Sequence, residues 1–167
     1  MAFHGGLETG TAEMARTAAS ASGASLYLVE QPPALRWHVP SHAVDPAESD
    51  QLGPWLRHVE TVVSLHGYGR VRQPRRILLG GRNRPLAARL AEALVRHPSE
   101  LAVVTDLEDM PTELRGLHRD NPVNRPARGG VQMELPPSAR DRRLGDFLPE
   151  LVEAALVELV EGYEDAG

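Results

Sequence analysis

The chain has 167 residues, a formal net charge of -5 at pH 7 and no cysteine. A chain of this length buries a hydrophobic core without disulfides or a structural metal, so we expect one domain over residues 1–167 in which any metal serves chemistry. The negative charge argues against a nucleic-acid-binding protein. The lack of a long apolar stretch or a basic leader argues against a membrane span or a signal peptide, which predicts a cytoplasmic protein.

The charges are distributed unevenly along the chain. Residues 61–91 contain seven arginines and no acidic residue, whereas residues 146–165 contain seven acidic residues and no arginine. Guanidinium groups pair with carboxylates through two parallel hydrogen bonds, so the arginine-rich segment favours an anionic ligand. A solvated basic surface explains the same segment equally well.

The predicted elements begin with a strand, a helix and a second strand. The first strand is short and ends at Phe3, and the helix, capped by Thr9 or Thr11, runs to Ser22. An apolar run over residues 25–29 predicts the next strand. This order of elements is typical of α/β folds.

Residues 34–54 are rich in proline and polar residues, and they predict a long loop, with one short helix over residues 49–58. A loop of this length in a compact domain is more often functional than not, and this one could form the wall of a cleft. His38 and His42 within it are candidate metal ligands or proton carriers. Exposed loop histidines without such a role are the better-supported interpretation.

The remainder of the chain continues the alternation of strands and helices. Asn83 caps a helix over residues 84–96, and Gly162 ends a helix over residues 147–160 that has one apolar face. Ser138 has the position of a capping residue for a short helix. Four further strands are predicted over residues 61–65, 75–79, 101–105 and 130–135. The predicted fold is therefore α/β, with a mixed and mostly parallel sheet flanked by helices.

Two histidine-glycine pairs follow predicted strands. A strand that ends at Phe3 places His4 at the edge of the sheet, and the glycines after it allow a turn that brings Glu8 back to the same point. His66 follows the strand over residues 61–65 in the same way. Two histidines and a carboxylate match a zinc site that keeps one position for water. The pattern predicts a zinc site at His4, Glu8 and His66, although hydrogen-bonded histidines are the alternative and this ligand set is less specific than an H-E-x-x-H helix.

Glu134 is the candidate general base. The strand over residues 130–135 alternates strictly, so Val131 and Met133 share one face while Gln132 and Glu134 share the other. A carboxylate in that position could take a proton from a zinc-bound water and later transfer it to the leaving nitrogen. A surface glutamate on an edge strand is the alternative interpretation.

A candidate substrate-binding set lies in the loops. Asn124 and Arg125 stand side by side in an irregular stretch, where an amide and a guanidinium group can together hold a carboxylate, and Arg128 follows. A turn built from asparagine and proline is an equally good interpretation of Asn124. Tyr68 and Arg70, which follow His66, complete the set.

The order of these motifs resembles the phage-type poly-γ-glutamate hydrolase family. The motifs are His-Gly-Gly-x-Glu-x-Gly-Thr, Ser-x-His-Gly-Tyr, Gly-Gly-x-Asn, Asn-x-x-Asn-Arg and Gly-Val-Gln-x-Glu-Leu, which together extend from His4 to about Arg140. The resemblance implies a zinc-dependent amidohydrolase with a fold similar to zinc carboxypeptidases that cleaves γ-glutamyl amide bonds. It also implies zinc ligation by the three predicted ligands, catalysis by Glu134 and substrate-carboxylate binding by Arg125.

Two further functions fit the same residues. The chain could be another carboxypeptidase-like deacylase or amidase, which acts on a small N-acyl amino acid or a peptidoglycan fragment through the same metal site. It could also be a non-catalytic module that binds acidic polymers through the arginines of residues 70–84. Two departures from the family pattern favour the module: the turn from His4 to Glu8 is one glycine shorter than usual, and only three residues precede His4, so the first strand is clipped or the chain starts late.

Overall fold

Four strands form one mixed sheet in this computed structural model, which describes residues 1–32, 34–35, 37–69, 75–97, 99–144 and 148–164. The strand order is β1–β4–β2–β3. Strands β1 and β4 run parallel, as do β2 and β3, whereas β2 and β4 are antiparallel. The strands are β1 (Val62–Gly67), β2 (Arg76–Leu79), β3 (Ala102–Val104) and β4 (Gly130–Leu135). The predicted α/β fold with a mixed and mostly parallel sheet is confirmed.

Three helices cover one face of this sheet and form the main hydrophobic core with it. The helices of the described residues are α1 (Thr11–Ser22), α2 (Leu52–His58), α3 (Arg84–Arg96) and α4 (Leu148–Glu164). Helices α1, α3 and α4 bury apolar stripes against the strand residues Leu65, Ile77 and Met133. None of the described helices is long and apolar enough to cross a membrane.

Of the capping residues predicted at the N-termini of α1 and α3, the one for α3 is confirmed and the one for α1 is wrong. Asn83 caps α3 as predicted, since its side chain accepts a hydrogen bond from the backbone N–H of Leu86 at 3.0 Å. Helix α1 is capped by Gly10 in a left-handed conformation with φ of 89°, so the prediction of Thr9 or Thr11 was wrong. A side chain at Gly10 would collide with the carbonyl of Arg140, which explains why a glycine occupies this position.

Two predictions near the end of the chain also differ from the structure. The short helix expected after Ser138 is replaced by two separate 3-10 turns, Pro137–Ala139 and Arg142–Leu144, because the backbone leaves the helical conformation at Arg140. Gly162 does not end α4, which continues to Glu164. Its carbonyl oxygen accepts a hydrogen bond from Arg89 at 2.6 Å, and this bond ties the last turns of α4 to α3.

The two strands predicted near the start of the chain are reduced to one isolated bridge between Ala2 and Leu28. The backbone of this first stretch is nevertheless fixed on both sides. Ala2 donates to the carbonyl of Tyr27 at 3.1 Å, and the carbonyl of Met1 accepts from Leu65 of β1 at 2.8 Å. This pairing delivers His4, three residues after Met1, to the carboxyl end of β1.

The second face of the sheet carries polar residues between two small apolar clusters. Because side chains alternate along a strand, Ser64 and His66 of β1 and Gln132 and Glu134 of β4 point away from the main core, yet all four are buried. One apolar cluster contains Phe3, Leu52, Leu56, Val62 and Val123, and the other contains Tyr68, Leu78, Val104 and Met110. The predicted alternation of β4 is confirmed, and it puts Glu134 in a buried polar strip.

Candidate active site

The turn from His4 to Glu8 places both side chains at one point. The backbone N–H of Glu8 donates to the carbonyl of His4 at 2.8 Å, which closes one helical turn and puts the two residues on the same side. A side chain at Gly6 would run into the backbone of Gln31, so the tight approach requires glycine there. The carboxylate Oε1 of Glu8 lies 3.1 Å from Nδ1 of His4. The shorter turn therefore still brings the two residues together.

His66 reaches the same point from β1. Its Nδ1 lies 3.7 Å from Oε2 of Glu8, and its ring centroid lies 5.2 Å from that of His4. The backbone N–H of Gly67 donates to Oε2 of Glu8 at 2.8 Å, which fixes the carboxylate between the two rings. One ligand atom from each of His4, Glu8 and His66 lies within 4.8 Å of the others. The structure brings the three predicted ligands together.

The outer nitrogen of each histidine ring is held by a neighbouring oxygen. Nε2 of His4 lies 2.8 Å from the carbonyl oxygen of Val39, which can only accept, so Nε2 carries a proton and, in the neutral ring, Nδ1 carries the lone pair. Nε2 of His66 similarly contacts the hydroxyl of Ser64 at 2.9 Å. Nδ1 of His4 is buried, and apart from the carboxylate of Glu8 no described residue offers it a hydrogen-bond partner. A lone pair that faces a carboxylate oxygen is unfavourable unless a proton or a metal ion lies between them, and two histidines with a carboxylate are a donor set that zinc accepts.

The pKa values of the three residues follow from burial and mutual contact. Burial acts to lower the pKa of His4, but Glu8 and the carbonyl of Val39 outweigh it, so this pKa is raised. Burial acts to raise the pKa of Glu8, but the two histidines outweigh it and this pKa is lowered. Burial lowers the pKa of His66 to about 4, so its ring is neutral at pH 7. A proton can occupy the place between His4 and Glu8, and a metal ion would compete with it.

Glu134 lies beside this cluster on the neighbouring strand. The register of the parallel pair puts Glu134 of β4 opposite His66 of β1, and only 4% of Glu134 is exposed. Its Oε1 accepts a hydrogen bond from Nε2 of Gln132 at 2.8 Å. Burial, and then the charge of Glu8, raise the pKa of Glu134 to about 8, although the bond from Gln132 acts in the opposite direction. The site therefore combines a ligand cluster with a buried carboxyl group that binds its proton tightly.

Tyr68, one of the predicted substrate-binding residues near His66, belongs to the hydrophobic core. Tyr68 is buried in the small apolar cluster with Leu78 and Met110, and its hydroxyl donates to the carbonyl of Arg76. Burial is also the main reason why the pKa of Tyr68 is raised to about 12. Tyr68 therefore packs as a core residue. Arg70 lies outside the described residues.

Asn124 and Arg125 are engaged within their own loop. The amide oxygen of Asn124 accepts from the backbone N–H of Arg82 at 3.1 Å, and its nitrogen donates to the carbonyls of Gly116 and His118. This corrects the expected role of Asn124, because its whole amide group holds the turn. Arg125 is 46% exposed and donates to Asp120 at 3.1 Å.

Arg128 lies at the wrong end of the sheet for the predicted role. Its backbone N–H donates to the carbonyl of Glu60 at 3.0 Å, and its guanidinium lies 3.9 Å from the Glu60 carboxylate, just before β1 begins. His66 is near the other end of that strand, and the rise from Val62 to His66 alone is about 13 Å. We therefore correct the assignment of Arg128, which does not reach the cluster.

Arg140 is the arginine that the structure places at the site, and the sequence reasoning missed it. It donates to the carbonyls of Leu135 and Thr9 at 3.2 and 2.6 Å, so it joins the end of β4 to the turn that carries Glu8. A side chain at Gly67 would come within 2.5 Å of its Nε. Burial lowers the pKa of Arg140, but the charges of neighbouring acids, including Glu8 and Glu134, oppose this effect. Its position shortly after β4, whose carboxyl end adjoins that of β1, was the available signal.

The loop histidines have different positions. Nε2 of His38 lies 3.9 Å from Oε1 of Glu8, and its ring centroid is 4.3 Å from that of His4. His38 is 57% exposed, so it lies between the cluster and solvent. His42 instead contacts His118, at 4.7 Å between ring centroids. Of the two, only His38 is at the site.

Comparison with known proteins identifies the family of this chain. The sequence model of the family described as Poly-gamma-glutamate hydrolase matches residues 1–149. Among solved structures, a bacteriophage poly-gamma-glutamate hydrolase is similar with a TM-score of 0.77 at 25% sequence identity, over 99% of this chain and 84% of that chain. YNDL in an apo, zinc-free state is similar in fold with a TM-score of 0.74 at 23% identity, over 96% of this chain and 82% of that chain.

No curated protein matches the chain. The match to the family model nevertheless extends over most of the sequence, and it includes all three residues of the cluster together with Glu134. The resemblance inferred from the order of the sequence motifs is confirmed. This chain belongs to the poly-gamma-glutamate hydrolase family.

Proposed function

We propose that the chain is a zinc-dependent hydrolase that cleaves γ-glutamyl amide bonds in poly-γ-glutamate or a related acidic amide. The observation that carries this proposal is the buried cluster of His4, Glu8 and His66, whose ligand atoms lie within 4.8 Å of one another, beside the buried carboxyl of Glu134. Family membership supports the class of substrate.

The residues of the cluster fit a zinc ion. Nδ1 of His4 and of His66 would supply two nitrogen ligands, and Glu8 would supply the carboxylate. Zinc held there would polarise the scissile carbonyl and lower the pKa of a coordinated water toward ~7. The carbonyl of Val39 would keep His4 in the ligating tautomer, and the hydroxyl of Ser64 would do the same for His66 when it accepts from Nε2.

Glu134 would carry the proton during hydrolysis. Its carboxylate would accept a proton from the attacking water and return it to the amide nitrogen as the carbon–nitrogen bond breaks. The products are a carboxylate and an amine, and Glu134 ends in its starting state. A cation bound by Glu8 would offset the charge that raises the pKa of Glu134, so the carboxyl would ionise more readily when the site is loaded.

Arginines would recognise the acidic substrate. Arg140 lies close enough to Glu8 and Glu134 for their charges to act on its pKa, so it would balance the negative charge of the site. Arg125, exposed on the loop before β4, and Arg70 would bind carboxylates along an anionic polymer.

The test combines metal analysis with an activity assay. We expect one equivalent of zinc per chain, cleavage of a γ-glutamyl polymer, loss of cleavage after complete removal of the metal with a chelator, and recovery when zinc is returned. Activity that survives complete metal removal would contradict the proposal. A parallel panel of N-acyl amino acids and peptidoglycan fragments tests the deacylase alternative, and zinc binding without cleavage of any substrate would favour the binding module.

A further inference from the structure

Three buried polar side chains form a continuous hydrogen-bonded row that ends at Glu134. Asn121, Gln132 and Glu134 are only 4%, 5% and 4% exposed. The amide nitrogen of Asn121 donates to the side-chain oxygen of Gln132 at 2.7 Å, and the amide nitrogen of Gln132 donates to Oε1 of Glu134 at 2.8 Å. We name this set the amide row.

The backbone determines the direction of the amide row. The N–H of Val123 donates to Oδ1 of Asn121 at 3.2 Å, and a backbone N–H can only donate, so that atom of Asn121 must be its oxygen. The nitrogen of Asn121 then faces Gln132, which must present its own oxygen. The nitrogen of Gln132 is left to face Glu134, so Oε1 of Glu134 can only accept.

We propose that Gln132 and Asn121 are positioning residues for the hydrolysis, which hold Oε1 of Glu134 as a hydrogen-bond acceptor and leave Oε2 as the oxygen that accepts and returns the proton. This inference rests on the proposed function. Neither residue needs to touch the substrate, because both act through the orientation of Glu134.

Several contacts keep the amide row rigid. The backbone of Gln132 is paired on β4, where it accepts from Gly80 at 2.8 Å and donates to Gly80 at 3.2 Å. A side chain at Gly116 would come within 2.7 Å of the Cβ of Gln132, so the loop packs closely over it. The backbone N–H of Asn121 donates to the carbonyl of His118 at 3.1 Å. A buried amide that loses its hydrogen-bond partner is strongly disfavoured, and this opposes a flipped arrangement.

The first test measures side-chain amide proton exchange in the wild-type protein, both with zinc bound and without zinc. In 15N-labelled protein, the donating side-chain amide protons of Gln132 and Asn121 should exchange with solvent on the order of 100-fold more slowly than those of the exposed Gln51, because they exchange only after local opening. Rapid exchange of the Gln132 amide would overturn the inference without bearing on the proposed function.

The second test measures kcat and KM in zinc-loaded variants. Gln132→Met keeps the size of the side chain but donates nothing to Glu134, and we expect a loss in kcat of about 10–100-fold with KM and zinc content unchanged. Asn121→Asp keeps the acceptor for Val123 but removes the donor that fixes Gln132. It should lower kcat by about 10-fold, although Asn121 does not touch Glu134. Gln51→Met is the matched control and should keep wild-type kcat.

A double variant separates positioning from general destabilisation. If Gln132 acts only through Glu134, the kcat of Gln132→Met combined with Glu134→Gln should equal that of Glu134→Gln alone. A multiplicative loss, or a Gln132→Met enzyme with wild-type kcat, overturns the inference. If Gln132→Met does not fold, the inference is tested by amide exchange in the wild-type protein and by the kcat of Asn121→Asp. A zinc-loaded wild type that cleaves no γ-glutamyl substrate would instead contradict the proposed function, while slow amide exchange would still support the orientation of Glu134.

Discussion

The two faces of the sheet are made by the same strands but bury opposite kinds of side chain. Toward α1, α3 and α4, strands β1 and β4 present Leu65 and Met133 to a continuous apolar core. On the other face, the neighbouring residues His66 and Glu134 are almost equally buried, at 4% each. The two faces are therefore buried to a similar extent and differ in the polarity of their side chains.

The difference supports the proposal that one face serves stability and the other serves chemistry. Each fully buried leucine or methionine side chain contributes about 1.5–3 kcal/mol to folding. A buried carboxyl or imidazole group costs free energy unless partners satisfy it, and at Glu134 this cost appears as a pKa of about 8. The polar face is thus tolerated because His4, Glu8, His66 and Glu134 lie together with their partners.

The largest expected effect is on catalysis, from Glu134→Gln. The variant keeps the hydrogen bond from Gln132 but cannot carry a proton, so kcat should fall by about 10²–10⁴-fold. Zinc content should stay at one equivalent, and thermal stability should hold or rise because a buried ionisable group is removed. Steady-state kinetics, metal analysis and a thermal melt provide the measurements. An active Glu134→Gln enzyme would remove Glu134 from the proposed mechanism.

Substitution of the adjacent residue, Met133, should lower the stability of the protein and leave kcat nearly unchanged. Met133 is fully buried on the apolar face, and Met133→Ala should lower the free energy of unfolding by about 2–5 kcal/mol through lost contacts and the cavity left behind. Below the melting transition, kcat and zinc affinity should be close to wild type. Chemical denaturation measures the free energy of unfolding, and steady-state kinetics measures kcat. A large loss of kcat in the folded Met133→Ala enzyme would show that the two faces are coupled.

The apolar face was largely predictable from the sequence, whereas the site was predictable only in part. The alternation in β4 and the cap at Asn83 are local patterns, and both appear in the structure. The ligand cluster could be inferred because each histidine follows an apolar run. The positions of Arg140 and Gln132 depend on which strands become neighbours. That pairing is a tertiary property that no local spacing encodes.

The loop predictions failed for a related reason. Asn124 in an Asn-Arg pair has the chemistry to bind a carboxylate, but its amide is satisfied by Arg82, Gly116 and His118, which come together only in the fold. Arg128 likewise lies at the amino end of β1 because β1 and β4 are parallel. Residue type identifies what a side chain can bind, and strand direction decides whether it reaches the site.

Zinc should stabilise the polar face by mass action. At a free zinc concentration 100 times its Kd, the free energy of unfolding should rise by about 2.7 kcal/mol if only the folded state binds. Glu8→Gln removes the negatively charged ligand, so most of this increment should disappear. Glu48→Gln, on an exposed turn, is the matched control and should retain it. Thermal or chemical unfolding with and without zinc measures the increment, and an equal increment in Glu8→Gln would exclude Glu8 as a ligand.

The smallest effect should come from Ser64→Ala, which changes one buried hydroxyl on the polar face. We expect the hydroxyl of Ser64, 2.9 Å from Nε2 of His66, to accept its proton and so to keep the lone pair on Nδ1. Removal of the hydroxyl should then lower zinc affinity by about 10-fold. Asn83→Ala on α3 is the comparison, because it removes a helix cap worth about 1 kcal/mol of stability. Its zinc Kd should match wild type. Competition with a chromophoric chelator measures both Kd values, and equal zinc affinities would mean that Ser64 only packs against His66 and does not fix its tautomer.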